Sequence, residues 1–147
     1  MSIRFIVGLF GIVTLALGIA GLANPRWVMD FVGYSTASVS PLILGEVRGV
    51  YGGMFSVMGV FTLLGAVNPV ANRRALLVIG LLWLGICAGR LLAIYFDGDP
   101  GVSGWIGAGF EFLFGLVPLL ASLTAKSKLE RKPVEPTIPL VFGPTEL

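Results

Sequence analysis

Residues 75–96 read ALLVIGLLWLGICAGRLLAIYF, twenty-two residues with a single charge at Arg90. A bilayer core is crossed by a helix of roughly 20 mostly apolar residues, so this stretch is long enough to span one. Lipid offers no partner to an unpaired backbone group, which leaves helices and closed barrels as the spanning structures. A barrel strand would alternate apolar and polar positions over a short segment, and this run does not alternate. Working outward, three more stretches share its character: Phe5–Ala23, Leu42–Val67 and Val102–Ala125. The connections between the four are 18, 7 and 5 residues long, and short connections make sequential helices antiparallel neighbours. The expected fold is all-α: an integral membrane, antiparallel four-transmembrane-helix bundle over residues 1–125, followed by a tail over residues 126–147.

The composition agrees. Hydrophobic residues make up 56% of the 147 and charged residues 12%, with a mean hydropathy of +0.94. A soluble domain carries about 25% charged residues. Ten basic and eight acidic side chains cannot clothe a water-facing surface around so much apolar material. With no histidine, His-ligated metal sites and histidine acid–base catalysis are excluded. One cysteine makes neither an intrachain disulfide nor a cysteine metal cage, so no metal and no cofactor is expected. The amino-terminal run exceeds the usual signal-peptide core of about 7–15 residues and is expected to be retained as a span.

Asn24-Pro25 and Asn68-Pro69 end the first two spans, because proline disfavours helix in the residue before it. Asp97-Gly98-Asp99-Pro100-Gly101 ends the third, and Pro41 opens the second, where a missing N–H costs little. Orientation follows from the basic residues flanking the spans. Arg4, Arg73, Arg74, Lys126, Lys128, Arg131 and Lys132 fall on one side, and Arg26 alone on the other. Both termini are therefore expected in the cytoplasm, with the chain in the inner (plasma) membrane among its lipids. The net charge of +2 reflects this orientation and gives no sign of nucleic-acid binding. In the long first connection, Trp27 and Phe31 share a helix face at i,i+4 spacing. Trp27 and Tyr34 suit the membrane interface, as a skimming connector or as a lid. Pro133, Pro136, Pro139 and Pro144 make the tail resist regular structure.

Four ionisable residues fall inside the spans: Glu46, Arg48, Arg90 and Glu111. Each is costly there, by roughly 2.5–3.5 kcal/mol near a helix centre, and the two acids balance the two bases. At 1.5 Å per residue all four lie about 7–12 Å from one membrane face, the outer one in this orientation. Glu46 and Arg48 are about 200° apart around their helix and must face different neighbours. On the fourth span Gly104, Gly107, Glu111, Gly115 and Pro118 share a stripe that presents Glu111 inward, and Arg90 is its expected partner. Asp97, two turns beyond Arg90, extends the cluster toward the mouth. Such a cluster fits a structural network, a binding pocket or an ion path. A pocket lid is expected from Trp27, Phe31 and Trp105.

Gly45, Gly49 and Gly53 on the second span, and Gly85 and Gly89 on the third, have the four-residue spacing that lets helices approach closely. With Gly107 and Gly115 they are expected to serve helix packing or oligomerisation, and Cys87 to pack as a small residue. No phosphate-binding loop, nucleophile elbow or dinucleotide fingerprint is present. Catalysis by this chain is not expected.

Glu46-Val-Arg48-Gly-Val-Tyr51-Gly52-Gly53, Gly89-Arg90-Leu91, Asp97-Gly98-Asp99-Pro100 and Glu111 together resemble a small bacterial membrane family of unknown function, loosely DoxX-like. The resemblance covers roughly Phe5–Thr124. It implies a four-helix fold and marks Glu46, Arg48, Tyr51, Arg90 and Glu111 as the family pattern. Some DoxX-like proteins are subunits of membrane oxidoreductases, so the resemblance adds that role as an alternative. The residues themselves favour a non-catalytic binding or assembly protein, an accessory subunit or a binder of a small amphipathic molecule. A small oligomeric transporter or channel is the other alternative. That alternative needs polar groups through the inner half, and Thr14, Ser56 and Thr62 lie there or near mid-depth.

Overall fold

The computed structural model describes residues 2–34 and 38–130, with side chains as far as residue 125. Its elements are α1 (Ile3–Ala23), α2 (Pro25–Phe31), α3 (Pro41–Val47), a π-helical segment (Arg48–Met54), α4 (Phe55–Val67), α5 (Arg73–Asp97) and α6 (Gly101–Glu130). Among the described residues the protein is wholly helical. Four helices are long and apolar enough to cross a membrane: Ile3–Ala23, Pro41–Val67, Arg73–Asp97 and Gly101–Ala125. The second of these runs through α3, the π-helical segment and α4. The proline-rich part of the tail lies outside the described residues. Its basic start, as far as Glu130, continues α6.

The helix ends follow from side chains next to the prolines. Asn24 Oδ1 accepts from the Trp27 N–H at 3.2 Å, with Pro25 opening α2. Ser40 Oγ accepts from the Ile43 N–H at 3.4 Å, with Pro41 opening α3. Both are N-caps that satisfy an orphan donor of the first turn. At the other end of α4, Asn72 Nδ2 donates to the carbonyls of Leu64 at 3.0 Å and Asn68 at 3.1 Å. Gly98, at φ 102°, stops α5 in the backbone region that glycine enters at no steric cost.

Glycine lets α1 and the second span meet backbone to backbone. Val7, Gly11, Thr14, Gly18 and Gly21 form the buried stripe of α1. Along it Gly8 faces Ala66, Gly11 faces Leu63, Gly18 faces Ser56 and Gly21 faces Gly52. A methyl group at Gly18 would lie 2.4 Å from the Ser56 nitrogen. α5 and α6 close the same way through Gly80 and Gly115, where the Gly80 site lies 2.9 Å from the Gly115 carbonyl oxygen. Gly65 against Leu76 joins α4 to α5, and Phe10 stacked on Phe114 joins α1 to α6.

The core is a relay of rings. Phe10 lies on Phe114 at 4.2 Å and nearly parallel. Phe114 meets Trp83 at 5.3 Å, Trp83 meets Phe55 at 4.9 Å, and Phe55 meets Tyr51 at 5.4 Å. Met58 and Ile79 complete this cluster. A second, smaller cluster of Val7, Leu76 and Ala121 lies beyond it, toward the end carrying the α4–α5 connection.

Candidate functional site

Glu111 is buried on the inward stripe of α6, in line with Gly104, Ala108, Gly115 and Pro118. Among the described residues its carboxylate is held by Arg90 of α5 alone. Arg90 Nε donates to both oxygens, at 3.0 and 2.9 Å, and Nη2 donates to Oε1 at 2.5 Å. The pair expected from matched depth is therefore formed, as an ion pair buried on its Glu111 side. Gly107 makes room for it: a methyl group there would lie 3.3 Å from the guanidinium carbon. Arg90 is a third exposed where Glu111 is buried, so the pair has one face sealed and one face reachable. Nη1 makes no hydrogen bond among the described residues.

Three residues of the anticipated cluster, Arg48, Glu46 and Asp97, are not part of this pair. Arg48 opens the π-helical segment, and its Nη1 donates to the Leu22 carbonyl at the end of α1. Arg4 does the same at the opposite end of the molecule, donating to the carbonyls of Ala66 and Val67 at the end of α4. A cation on the last carbonyls of a helix satisfies orphan acceptors and suits the helix dipole. Glu46 is exposed on α3, and Asp97 is exposed at the end of α5. Neither makes an ion pair among the described residues.

A further member of the anticipated cluster is Tyr51. It is half-buried in the π-helical segment, within electrostatic reach of Tyr34, Arg90 and Glu111. Tyr51 and Tyr34 both line a cavity of about 370 Å³, walled otherwise by Val28, Met29, Val32, Ile43 and Val47. That is the size of a small-molecule site, apolar with a few placed polar groups. The cavity is roofed by the inward face of α2, so its lining is Val28 and Met29. Trp27 and Phe31, stacked on each other at 5.5 Å, occupy the exposed face of α2. Trp105 is exposed too, and its Nε1 donates to Asp99 Oδ1 at 3.0 Å in the α5–α6 turn. A larger hollow of about 470 Å³ is lined by Val78, Leu81, Leu82, Gly85 and Ile86 of α5 alone. It is a furrow on one apolar helix, open where Gly85 lacks a side chain, and it carries no polar group.

The glycines divide by position. Gly45, Gly49, Gly85 and Gly89 have no atom near a would-be side chain, and Gly53 has only its own helix's backbone at 3.9 Å. The close contacts fall instead to Gly11, Gly18, Gly21, Gly52, Gly59, Gly65 and Gly80, together with Gly115. Sequence reasoning passed over the α1 members because they follow the alternating three-and-four rhythm of one helix face rather than a strict four-residue repeat. Cys87 is buried against α6, its thiol 3.5 Å from the Ala108 carbonyl oxygen.

Four helices of this length and composition suit a multi-pass membrane protein. The chain belongs to the family described as domain of unknown function DUF4345, whose family model matches residues 2–122. No curated protein and no solved structure matches it.

Proposed function

We propose that the protein is a non-catalytic binder of an amphipathic small molecule, held in a dead-end pocket beneath α2. In this reading the four spans form an antiparallel bundle in a bacterial inner membrane with both termini cytoplasmic. Support for the antiparallel arrangement comes from contacts that run in opposite order along α1 and the second span. The observation that carries the functional reading is the apolar cavity lined by Tyr34 and Tyr51, with Tyr51 within electrostatic reach of the partly exposed Arg90–Glu111 pair. A ligand would lay its chain against Val28, Val32 and Val47 and its polar head toward Tyr51.

A through-path is disfavoured. The hydroxyls of Thr14, Ser56 and Thr62 donate to Phe10, Gly52 and Met58, one turn back on their own helices. Phe114, one turn along α6 from Glu111, belongs to the aromatic relay that closes the middle of the molecule. Purification in mild detergent followed by native mass spectrometry tests the proposal. A small molecule is expected to travel with the wild-type chain and to be lost from Val32→Trp, which fills the cavity. Arg73→Ala, at the far end, is expected to keep it. Wild-type protein carrying no small molecule, and taking up none when offered, would overturn the reading.

A further inference from the structure

We infer that the cavity selects an uncharged amphiphile, a single-chain lipid whose head offers a carbonyl or hydroxyl oxygen, over anionic or cationic amphiphiles of equal length. This rests on the reading of the cavity as a ligand site and adds the chemistry of the head group. The argument is one of charge. The walls of the cavity are five aliphatic or thioether side chains and two tyrosines, with no carboxylate, lysine or arginine among them. The charges within electrostatic reach of Tyr51 are Arg90 and Glu111, and they are spent on each other through three hydrogen bonds. An anionic head would find Arg90 already neutralised. A cationic head would find both Glu111 oxygens occupied. Either ion would leave its hydration without gaining a counter-ion, and burial of an unpaired charge is strongly unfavourable.

What the site does offer is donors. The hydroxyls of Tyr34 and Tyr51, both in the lining, make no hydrogen bond among the described residues and are free to donate. An oxygen that accepts hydrogen bonds without carrying a formal charge matches that inventory. The volume is consistent with the head and first part of a chain. At about 30 Å³ per small group, 370 Å³ holds roughly a dozen non-hydrogen atoms, and the remainder of a longer chain leaves through the open side into lipid.

The experiment offers delipidated full-length protein, in an uncharged detergent, an equimolar set of 1-dodecanol, methyl dodecanoate, dodecanoate and dodecylammonium. Adducts are counted by native mass spectrometry. The expected result is that the alcohol and ester outnumber both ions by roughly tenfold, the discrimination of one well-placed polar contact. Val32→Trp is expected to lose every adduct, and Tyr51→Phe to weaken the alcohol and ester several-fold without reducing thermal stability. A preference for either ion, with adducts still lost in Val32→Trp, overturns the head-group inference and leaves the pocket standing. Adducts that form equally in wild type and Val32→Trp, or no adduct at all, overturn the pocket reading with it.

Discussion

At the scale of single residues, a charge inside a bilayer is costly, and three arginines of this chain meet that cost in two ways. Arg90 and Glu111 neutralise each other side on, with three hydrogen bonds in place of water. Removing one partner of a buried pair strands the other, at a cost of about 3–5 kcal/mol. Arg90→Met alone is therefore expected to lower thermal stability in detergent more than Arg90→Met combined with Glu111→Gln. A double variant no better than the worse single one would mean that the two side chains are not coupled. Arg4 and Arg48 use the second solution, lying on the last carbonyls of a neighbouring helix. Each such contact contributes a few tenths to about 1 kcal/mol, so Arg4→Gln and Arg48→Gln are expected to be mild beside Arg90→Met. If Arg48→Gln proves as damaging as Arg90→Met, its role exceeds capping. Depth along a helix made the Arg90–Glu111 pair legible in the sequence. Depth alone could not separate Arg48, whose direction around its helix depends on the change of pitch that begins at that residue.

At the scale of elements, the presence of four helices long and apolar enough to cross a membrane was legible, because length, apolar composition and Asn-Pro punctuation speak directly to helices in lipid. The π-helical segment was not legible. It arises where Gly21 and Gly52 bring two backbones together, with Leu22 filling the space beside Gly52, and tertiary crowding of this kind leaves no periodic mark in one helix. Nor did the spacing of small residues tell an inward face from an outward one. Gly45 and Gly49 repeat as regularly as any pair in the chain, yet they face open space, while the less regular Gly11, Gly18 and Gly21 carry the packing. Substitution separates the two groups. Gly18→Ala and Gly59→Ala, whose added methyl groups would lie 2.4 and 2.5 Å from backbone nitrogens, are expected to destabilise by about 1–3 kcal/mol through overpacking. Gly45→Ala and Gly85→Ala meet nothing and are expected to be neutral or to stabilise by up to about 1 kcal/mol. Thermal unfolding of the four single variants checks this, and equal losses in all four would show that the outward glycines are packed against something as well.

At the scale of the whole molecule, the two ends differ in kind. One carries α2, the cavity and the Arg90–Glu111 pair; the other carries the α4–α5 connection and most of the basic residues that flank the spans. The aromatic relay through Phe10, Phe114, Trp83 and Phe55 lies between them. This asymmetry has a functional sense only if the cavity end faces a defined side of the membrane, and the basic residues select that side. In the proposed orientation, with lysine and arginine near span ends retained in the cytoplasm, the Asp97–Gly101 turn and the roof of the cavity face outside. The prediction is made in a Cys87→Ala background, because Cys87 is the sole native thiol and is buried. A cysteine at position 99, in that turn, is expected to react with an impermeant thiol reagent added to intact cells, and a cysteine at position 128 only after lysis. The opposite pattern would turn the cavity toward the cytoplasm, and an amphiphile reaching Tyr51 would then have to come from the inner leaflet.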